Sequence, residues 1–541
     1  MNKRDWIRFV TLTAVLAVMM FSDQMCRSDS AADIPVWDWL WMALGSVVLS
    51  LSLTAFALVL PGKVSRIIYP VFYGWSFFVC AVQLFCRVCF GFDFGSEIWS
   101  ILMGSSLPEF VDFIRMRSTP AGIAGVLLAV SLCGVTVWCA WKCSAYEIPK
   151  KSALFISAAV FPCAVSMTGA LSVLASSNPG ASIEDSTCLG FAPVGLVRRI
   201  ADEVDSINGL EDASLHPAMP EAVTGPKKAD DVLGVFVIGE SMTRNHMSLY
   251  GYGRETTPRL DAMSDRLFVF RDLVAPWSRT TKVLRLLLTE AKVDSSSDVK
   301  YTLPAICSRG GYTCALYSNQ DHWGEDDGVD TLLFMDCARK VWLGDAMARP
   351  GRYDDKLLPY ARSEMTQPGN RAVFLHLMGS HIDTADRYPP GMAVFGRGRE
   401  ADEVSKLDHY DNSVAFTDHL LGELIESLSY CRRPAFLIYI SDHGETPDSP
   451  DWRDMTDIDL WEIPMFVWVS PEYAERYPDT VKAVREALDR PLQSDQLLHG
   501  IVDLFQIEPL PGWTPDEDFL SSEFRPREVR RKSNGRPIYT N

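Results

Sequence analysis

Apolar positions follow two different patterns along this 541-residue chain. Up to residue 176 they form long runs, Trp6–Phe21, Val36–Leu60, Ile67–Phe90, Gly122–Trp141 and Ala153–Ala175. Most of these approach the ~20 residues that a helix needs to cross a bilayer core, so a multi-span α-helical membrane domain of five helices is expected over 1–176. From residue 231 the runs shorten and alternate with helical periods. Strands are expected at 232–239, 267–274, 313–319, 331–336, 372–379, 435–442 and 465–470, and a helix over Asp411–Ser429. Near-continuous apolar strands separated by helices predict a largely parallel sheet covered on both faces, an α/β doubly wound domain over 231–520. The intervening segment, 177–230, is rich in Ser, Asp, Ala, Pro and Gly and reads as a linker. Within it, Leu196, Ile200, Val204 and Ile207 repeat at the spacing of an amphipathic helix.

Charge separates the same two parts. Residues 1–176 carry 12 basic and 10 acidic side chains, and the whole chain 51 and 69. The remainder therefore holds 39 basic and 59 acidic side chains, net −20, which excludes a nucleic-acid-binding domain. Lys3, Arg4 and Arg8, then Lys63 and Arg66, then Lys142, Lys150 and Lys151 fall on one side of a five-span arrangement; Arg115 and Arg117 are mild exceptions. That side is cytoplasmic, which places the outer domain in the periplasm of a Gram-negative cell. The first run has a basic flank like a signal peptide, but no small-residue cleavage site follows, so it reads as a retained helix. Between the third and fourth spans, Glu97 to Ile114 forms an amphipathic interfacial stretch with Ser106 and Glu109. Of 13 cysteines, Cys188, Cys307, Cys314, Cys337 and Cys431 lie outside the membrane part, and a disulfide among the middle three is an expectation the compartment allows. The stretch 521–541 has six basic residues and reads as a solvated basic tail, with the domain surface or anionic lipid as alternatives.

In open α/β sheets ligands gather at the carboxyl ends of strands. Here one strand runs into Glu240, another into Asp442 and His443, and a third into His381, while 267–274 leads to Ser278, Arg279, Thr280 and Thr281. Two carboxylates, an imidazole and a hydroxyl make a zinc-type donor set. Zinc would lower the pKa of that hydroxyl and turn it into a nucleophile. Arg254 and Arg387 are candidates to grip phosphate, with a carboxylate partner the competing reading. His376 and His246 read as core and structural or substrate-facing groups.

The segment GESMTRNHMSLYGYGRETTPRL (239–260) resembles the signature of the phosphoethanolamine transferases of the alkaline phosphatase/sulfatase superfamily. SDHGE (441–445), LHLMGSH with Arg387-Tyr388-Pro389, YDNSVAFTDHLLGELI (410–425) and SNQ (318–320) resemble further segments of that family, in the same order. The resemblance implies Zn²⁺ held by Glu240, Asp442, His443 and a threonine nucleophile. Thr280, with Leu284 four residues on, matches the family spacing, and Thr281 is the competitor. His381 matches a histidine that serves the phosphoryl group or a second metal. Ser106 and Glu109 fall where the family has Asn-x-x-Glu for the lipid headgroup, with Ser replacing Asn. One departure is larger: 447–464 lacks the family's downstream histidine and offers Asp451, Asp454 and Asp457 instead.

The function this implies is transfer of phosphoethanolamine from phosphatidylethanolamine to lipid A or lipopolysaccharide core, by a monomer anchored in the bacterial inner membrane. The segments at 278–291 and 318–320 are more similar to the core-modifying branch than to the colistin-resistance branch. The rival readings are a membrane-anchored sulfatase-superfamily hydrolase, phosphoethanolamine transfer to another periplasmic glycan or protein, and a non-catalytic lipid-binding or assembly protein. Ser278 lacks the C/S-x-P/A-x-R context that a sulfatase nucleophile requires.

Overall fold

The structure, a computed structural model, describes residues 231–293, 301–320, 329–345, 351–399, 404–448, 457–510, 512–532, 535 and 537–539, with isolated positions before residue 51. By its contacts the chain falls into two units, Met1–Asp205 and Ser206–Asn541. The five expected spans, Ser106, Glu109 and the linker lie outside the described residues. No helix among the described residues is long and apolar enough to cross a membrane.

The second unit is built on a seven-stranded sheet. In chain order its strands are β1 (Leu233–Gly239), β2 (Leu267–Phe270), β4 (Thr313–Ser318), β5 (Arg339–Trp342), β6 (Arg371–His376), β7 (Ala435–Ser441) and β8 (Met465–Val469). Their spatial order is β2-β8-β7-β1-β6-β4-β5. A short pair, β3 (Leu273–Val274) with β9 (Leu492–Gln493), lies apart from it. Alternate residues of the central strands feed two cores. Phe236, Ile238, Phe374 and Ile438 join one; Val235, Val237, Leu375 and Leu437 join the other. Every residue of β1 and β7 is buried, which explains why these strands read as unbroken apolar runs rather than alternations. Helix α1 (Thr280–Leu288) covers one face with Leu284 and Leu287. Helix α2 (Lys406–Ser429) covers the other with Val414, Leu421 and Leu424. Ser405 caps α2 by accepting the Asp408 N–H at 3.0 Å.

Four expectations are corrected. The segment expected as a strand at 331–336 contains helix Val329–Leu333, and Leu332, Leu333 and Phe334 fill the core from it. A short apolar run does not distinguish the two periods. The strand itself is β5, which among the described residues is an edge strand paired with β4 alone and is half exposed, so it carries no apolar signal. The run 267–274 divides between β2 and β3. Strand β8 is antiparallel to both neighbours. The described part of its connection from β7 returns through a 3-10 turn, Ile458–Leu460, so the chain re-enters the sheet from the end it left. Cys307, Cys314 and Cys337 are buried thiols, not disulfides, and they fill the same core as Phe334.

The C-terminal stretch is not a solvated tail. Arg530 holds both Asp272 carboxylate oxygens, at 2.6 and 3.2 Å, and lies over the Tyr539 ring at 4.8 Å. Tyr539 donates to Glu462 Oε1 at 2.7 Å, and Ile538 is buried with Val274, Leu460 and Trp461. Basic residues are drawn in by acidic partners on the domain, so composition alone misreads them. Arg530→Ala is expected to lower stability by about 1–2 kcal/mol, because a half-buried Asp272 loses a bidentate partner. Thermal unfolding of the full chain in detergent measures this, and an unchanged midpoint would make the tail a bystander.

Candidate metal centre

Because β1 pairs with β7 in parallel register, with Gly239 opposite Ser441, the residues that follow them leave the sheet side by side. Glu240 thus meets Asp442 and His443. All three are fully buried, and their ligand atoms lie within 4.8 Å of one another. His443 Nε2 is 3.3 Å from Asp442 Oδ2 and 3.6 Å from Glu240 Oε1. Ligands at zinc–oxygen and zinc–nitrogen bond lengths of about 2.0–2.1 Å on a tetrahedron are about 3.4 Å apart, so these separations fit that ion. Thr280, at the start of α1, supplies the fourth group, its hydroxyl donating to Glu240 Oε2 at 2.8 Å.

The backbone around the trio is tightly specified. Ser241 has φ 55°, an uncommon conformation for a residue with a side chain. It repays that strain with two bonds, its N–H to Asp442 Oδ1 at 3.0 Å and its hydroxyl to Glu240 Oε1 at 2.7 Å. Gly379, in the loop after β6, has φ +49°, and a Cβ there would stand 2.6 Å from the Glu240 carbonyl. Next to it, Ser380 N–H donates to that carbonyl at 2.9 Å. Asp354 fixes the loop by accepting from Met378 N, Gly379 N and Asn319 Nδ2 at 2.7–2.9 Å. Gln320 Nε2 spans Leu377 O at 2.7 Å and Glu240 Oε2 at 3.3 Å.

The electrostatics ask for a cation. Burial, and then the neighbouring Asp442 charge, push the Glu240 carboxyl up to about 7. A positive ion reverses both effects.

The structure thus brings Glu240, Asp442, His443 and Thr280 together. Thr281 follows Thr280 on α1 and is half exposed. His381 stands in the loop after β6, half buried, its N–H bonded to Met378 O. The two arginines are turned elsewhere. Arg254 pairs with Asp408 and Asp411 at 2.5 Å each, and Arg387 donates to the carbonyls of His381 and Ile382. Carboxylates on α2 claim the first guanidinium and loop carbonyls the second, pairings between distant positions that the sequence could not reveal. His376 is a core residue, its imidazole pushed down to about 3 by burial. Asp457 caps the 458–460 turn through Asp459 N–H, while Asp451 and Asp454 lie outside the described residues. Asp354 and Gln320 were missed as site-forming residues; only the SNQ segment hinted at the second.

Two carboxylates and an imidazole at the carboxyl edge of an α/β sheet form a possible metal site in the position where such sheets carry their active sites. The sulfatase family model matches residues 233–507, and the chain belongs to the sulfatase family. Phosphoethanolamine transferase EptC of Escherichia coli (strain K12) is 28% identical over 313 residues, 54% of this chain and 53% of its own. The chain therefore spans about half the length of the curated relatives it matches. The crystal structure of the C-terminal periplasmic domain of EptC from Escherichia coli, in complex with Zn, is 26% identical with TM-score 0.52, covering 58% of this chain and 93% of that one. Lipooligosaccharide phosphoethanolamine transferase A, an integral membrane protein of Neisseria meningitidis, shares the fold at 18% identity with TM-score 0.66, over 96% of this chain and 98% of its own. The family resemblance carried by residues 239–260 and 441–445 is borne out by these relatives.

Zinc binding is expected to weaken as pH falls. The metal needs Glu240 ionised, and the metal-free carboxyl holds its proton below about 7, so each unit of acid below that value costs about tenfold in apparent affinity. Titration of the metal-free protein against a competing chelator measures this; an affinity flat between pH 6 and 7 would remove Glu240 from the ligand set.

Proposed function

We propose that the protein is a multi-pass enzyme of the bacterial inner membrane that transfers phosphoethanolamine from phosphatidylethanolamine to lipid A or lipopolysaccharide core. In this reading residues 1–176 are the anchor, 177–230 the linker and 231–520 a periplasmic catalytic domain that works as a monomer. One observation carries the proposal. The Thr280 hydroxyl stands 2.8 Å from Glu240 Oε2, beside Asp442 and His443, at the first turn of a helix. The names of the relatives support the same chemistry.

Each group has a role in that reaction. Thr280 Oγ1 attacks phosphorus, the bond to the diacylglycerol oxygen breaks, and the phosphoethanolamine group is left esterified to threonine. An acceptor hydroxyl or phosphate then displaces the threonine oxygen. The threonine hydroxyl donates to the Glu240 carboxylate at 2.8 Å, and its proton is delivered to the departing diacylglycerol oxygen as the bond to phosphorus breaks. Backbone N–H groups in the first turn of α1 face developing negative charge at the phosphoryl oxygens. Zinc, when bound by Glu240, Asp442, His443 and Thr280, supplies Lewis acidity that favours the alkoxide and offsets phosphoryl charge. His381 is assigned to the phosphoryl group, and Ser106 and Glu109 to the headgroup at the membrane.

Incubating the zinc-loaded protein with fluorescent phosphatidylethanolamine is expected to release labelled diacylglycerol and to add a phosphoethanolamine mass to the peptide holding Thr280. Thr280→Ala should lose about 10³-fold or more of the release, while Thr281→Ala keeps it. The converse pattern would move the nucleophile to Thr281. Release that needs no acceptor and leaves no modified peptide would support the hydrolase.

A further inference from the structure

A cavity of about 400 Å³ opens among the last helices of the domain and the stretch that follows them. Helix α3 (Pro478–Glu486) gives it Ala483, helix α4 (Leu498–Leu504) gives His499 and Asp503, and the loop beyond gives Trp513 and Asp518. Its volume lies within the ~300–1,000 Å³ of sites that hold small molecules. Glu240, Thr280, Asp442 and His443 do not line it. Trp513 Nε1 donates at 2.8 Å to Oε1 of Glu290, which lies just past the end of α1. The cavity therefore adjoins the end of that helix opposite Thr280, roughly 13 Å away along the axis.

Its polar groups are positioned but not used up by the fold. His499 is 7% exposed, and its Nδ1 is buried without a hydrogen-bond partner. Its Nε2 stands 3.8 Å from Glu517 Oε2, beyond hydrogen-bond reach. Burial, with the Lys292 charge nearby, pushes the imidazole down to about 3. It is therefore neutral, with one N–H to give and one lone pair to offer. The Trp513 indole stacks on it, ring centroids 3.7 Å apart and planes inclined by 15°, which fixes both rings. Asp503 and Asp518 are hydrogen-bonded to one another. Two carboxyl groups bond in this way only with a proton between them, and burial together with the Asp503 charge holds Asp518 above its ordinary range. Asp518 also accepts the Leu520 N–H at 2.9 Å, and Phe519 leaves no room for a side chain at Gly500, so this loop packs directly on α4.

The lining selects one class of ligand. It contains no Lys or Arg. Arg490, beside it, is committed to the carbonyls of Phe519 and Ser521 at 2.8 and 2.5 Å, so an anion finds no partner. Among the described residues only Glu240, Asp442 and His443 bring ligand atoms close enough together for a metal ion. What the cavity offers is a mixture: a neutral imidazole, a carboxyl pair able to accept and to donate, and an apolar wall of Val502 and Leu520. We infer that it is a binding subsite for an uncharged sugar ring, whose hydroxyls both give and accept hydrogen bonds while its C–H faces cover the apolar wall. The inference stands apart from the transfer reaction and adds a second ligand site to the domain.

The test applies saturation-transfer difference NMR to the full chain in a polyoxyethylene detergent, which carries no sugar of its own. Methyl glycosides of glucose, galactose and mannose are the neutral probes. Methyl glucuronide and methyl glucosaminide place an anion and a cation on the same ring. At least one neutral glycoside is expected to bind, about tenfold more tightly than the glucuronide. Ala483→Phe, which fills the cavity, and Asp518→Asn, which keeps an acceptor for the Leu520 N–H, should each weaken that binding about tenfold. Thermal midpoints show whether each variant is folded. Binding of no neutral glycoside, binding that survives both substitutions, or tighter binding of the glucosaminide overturns the subsite. Core oligosaccharide released from lipopolysaccharide then serves as competitor for the bound glycoside. Displacement at a lower concentration than the glycoside itself requires assigns the cavity to an acceptor glycan, and failure to displace assigns it to a free sugar; both keep the sugar site.

Discussion

The constraint on which the rest of this domain depends is the burial of two carboxylates side by side. Glu240 and Asp442 leave neighbouring parallel strands at the same level and are both removed from water. Such a pair is unstable unless a cation or a shared proton compensates it. Burial and the neighbouring Asp442 charge push the Glu240 carboxyl up to about 7. His443 adds a third ligand atom at distances suited to zinc, so the same geometry that is costly when empty is a preorganised receptor for the ion.

Much of the surrounding structure serves to hold that receptor. The left-handed turn at Ser241, the missing side chain at Gly379 and the buried anchor Asp354 each fix one loop that leaves the sheet. Tyr410 links α2 to the same turn, donating to Ser241 O and accepting from Thr243 N–H at 2.9 Å each. The long helix thus does more than cover a face of the sheet, because it sets the angle at which the Glu240 motif departs. Tyr539 and Arg244 act from the opposite side by sharing Glu462, which ties the C-terminal stretch to the segment that follows His443.

What the sequence disclosed and what it hid follow from the range of the forces involved. Strands β1, β4, β6 and β7 were legible because burial on both faces writes an unbroken apolar run. The ends of β1 and β7 were legible as candidate ligands because strand ends carry function in this architecture. The direction of β8 was not legible, since an apolar run has no polarity. The edge strand β5 was not legible either, since half of it is exposed. The partners of Arg254, Arg387 and Arg530 were hidden for a different reason. An arginine selects among distant carboxylates and carbonyls only once the chain is folded, so Arg254 with Asp408 and Arg530 with Asp272 leave no local trace.

The net −20 of the outer part first reads as a solubility feature, because phosphate-bearing substrates would be repelled by it. Local arrangement changes that reading. The headgroup in the proposed reaction is a zwitterion and presents two ends. At the phosphate end, a cation held by Glu240, Asp442 and His443 would invert the local sign. At the ammonium end of that proposed substrate a surplus of carboxylates would itself be the attraction. Opposite potentials a short distance apart orient a zwitterion more strictly than either would alone. Acidity that looks adverse for a substrate considered as a phosphate becomes a means of aligning it when the whole headgroup is considered.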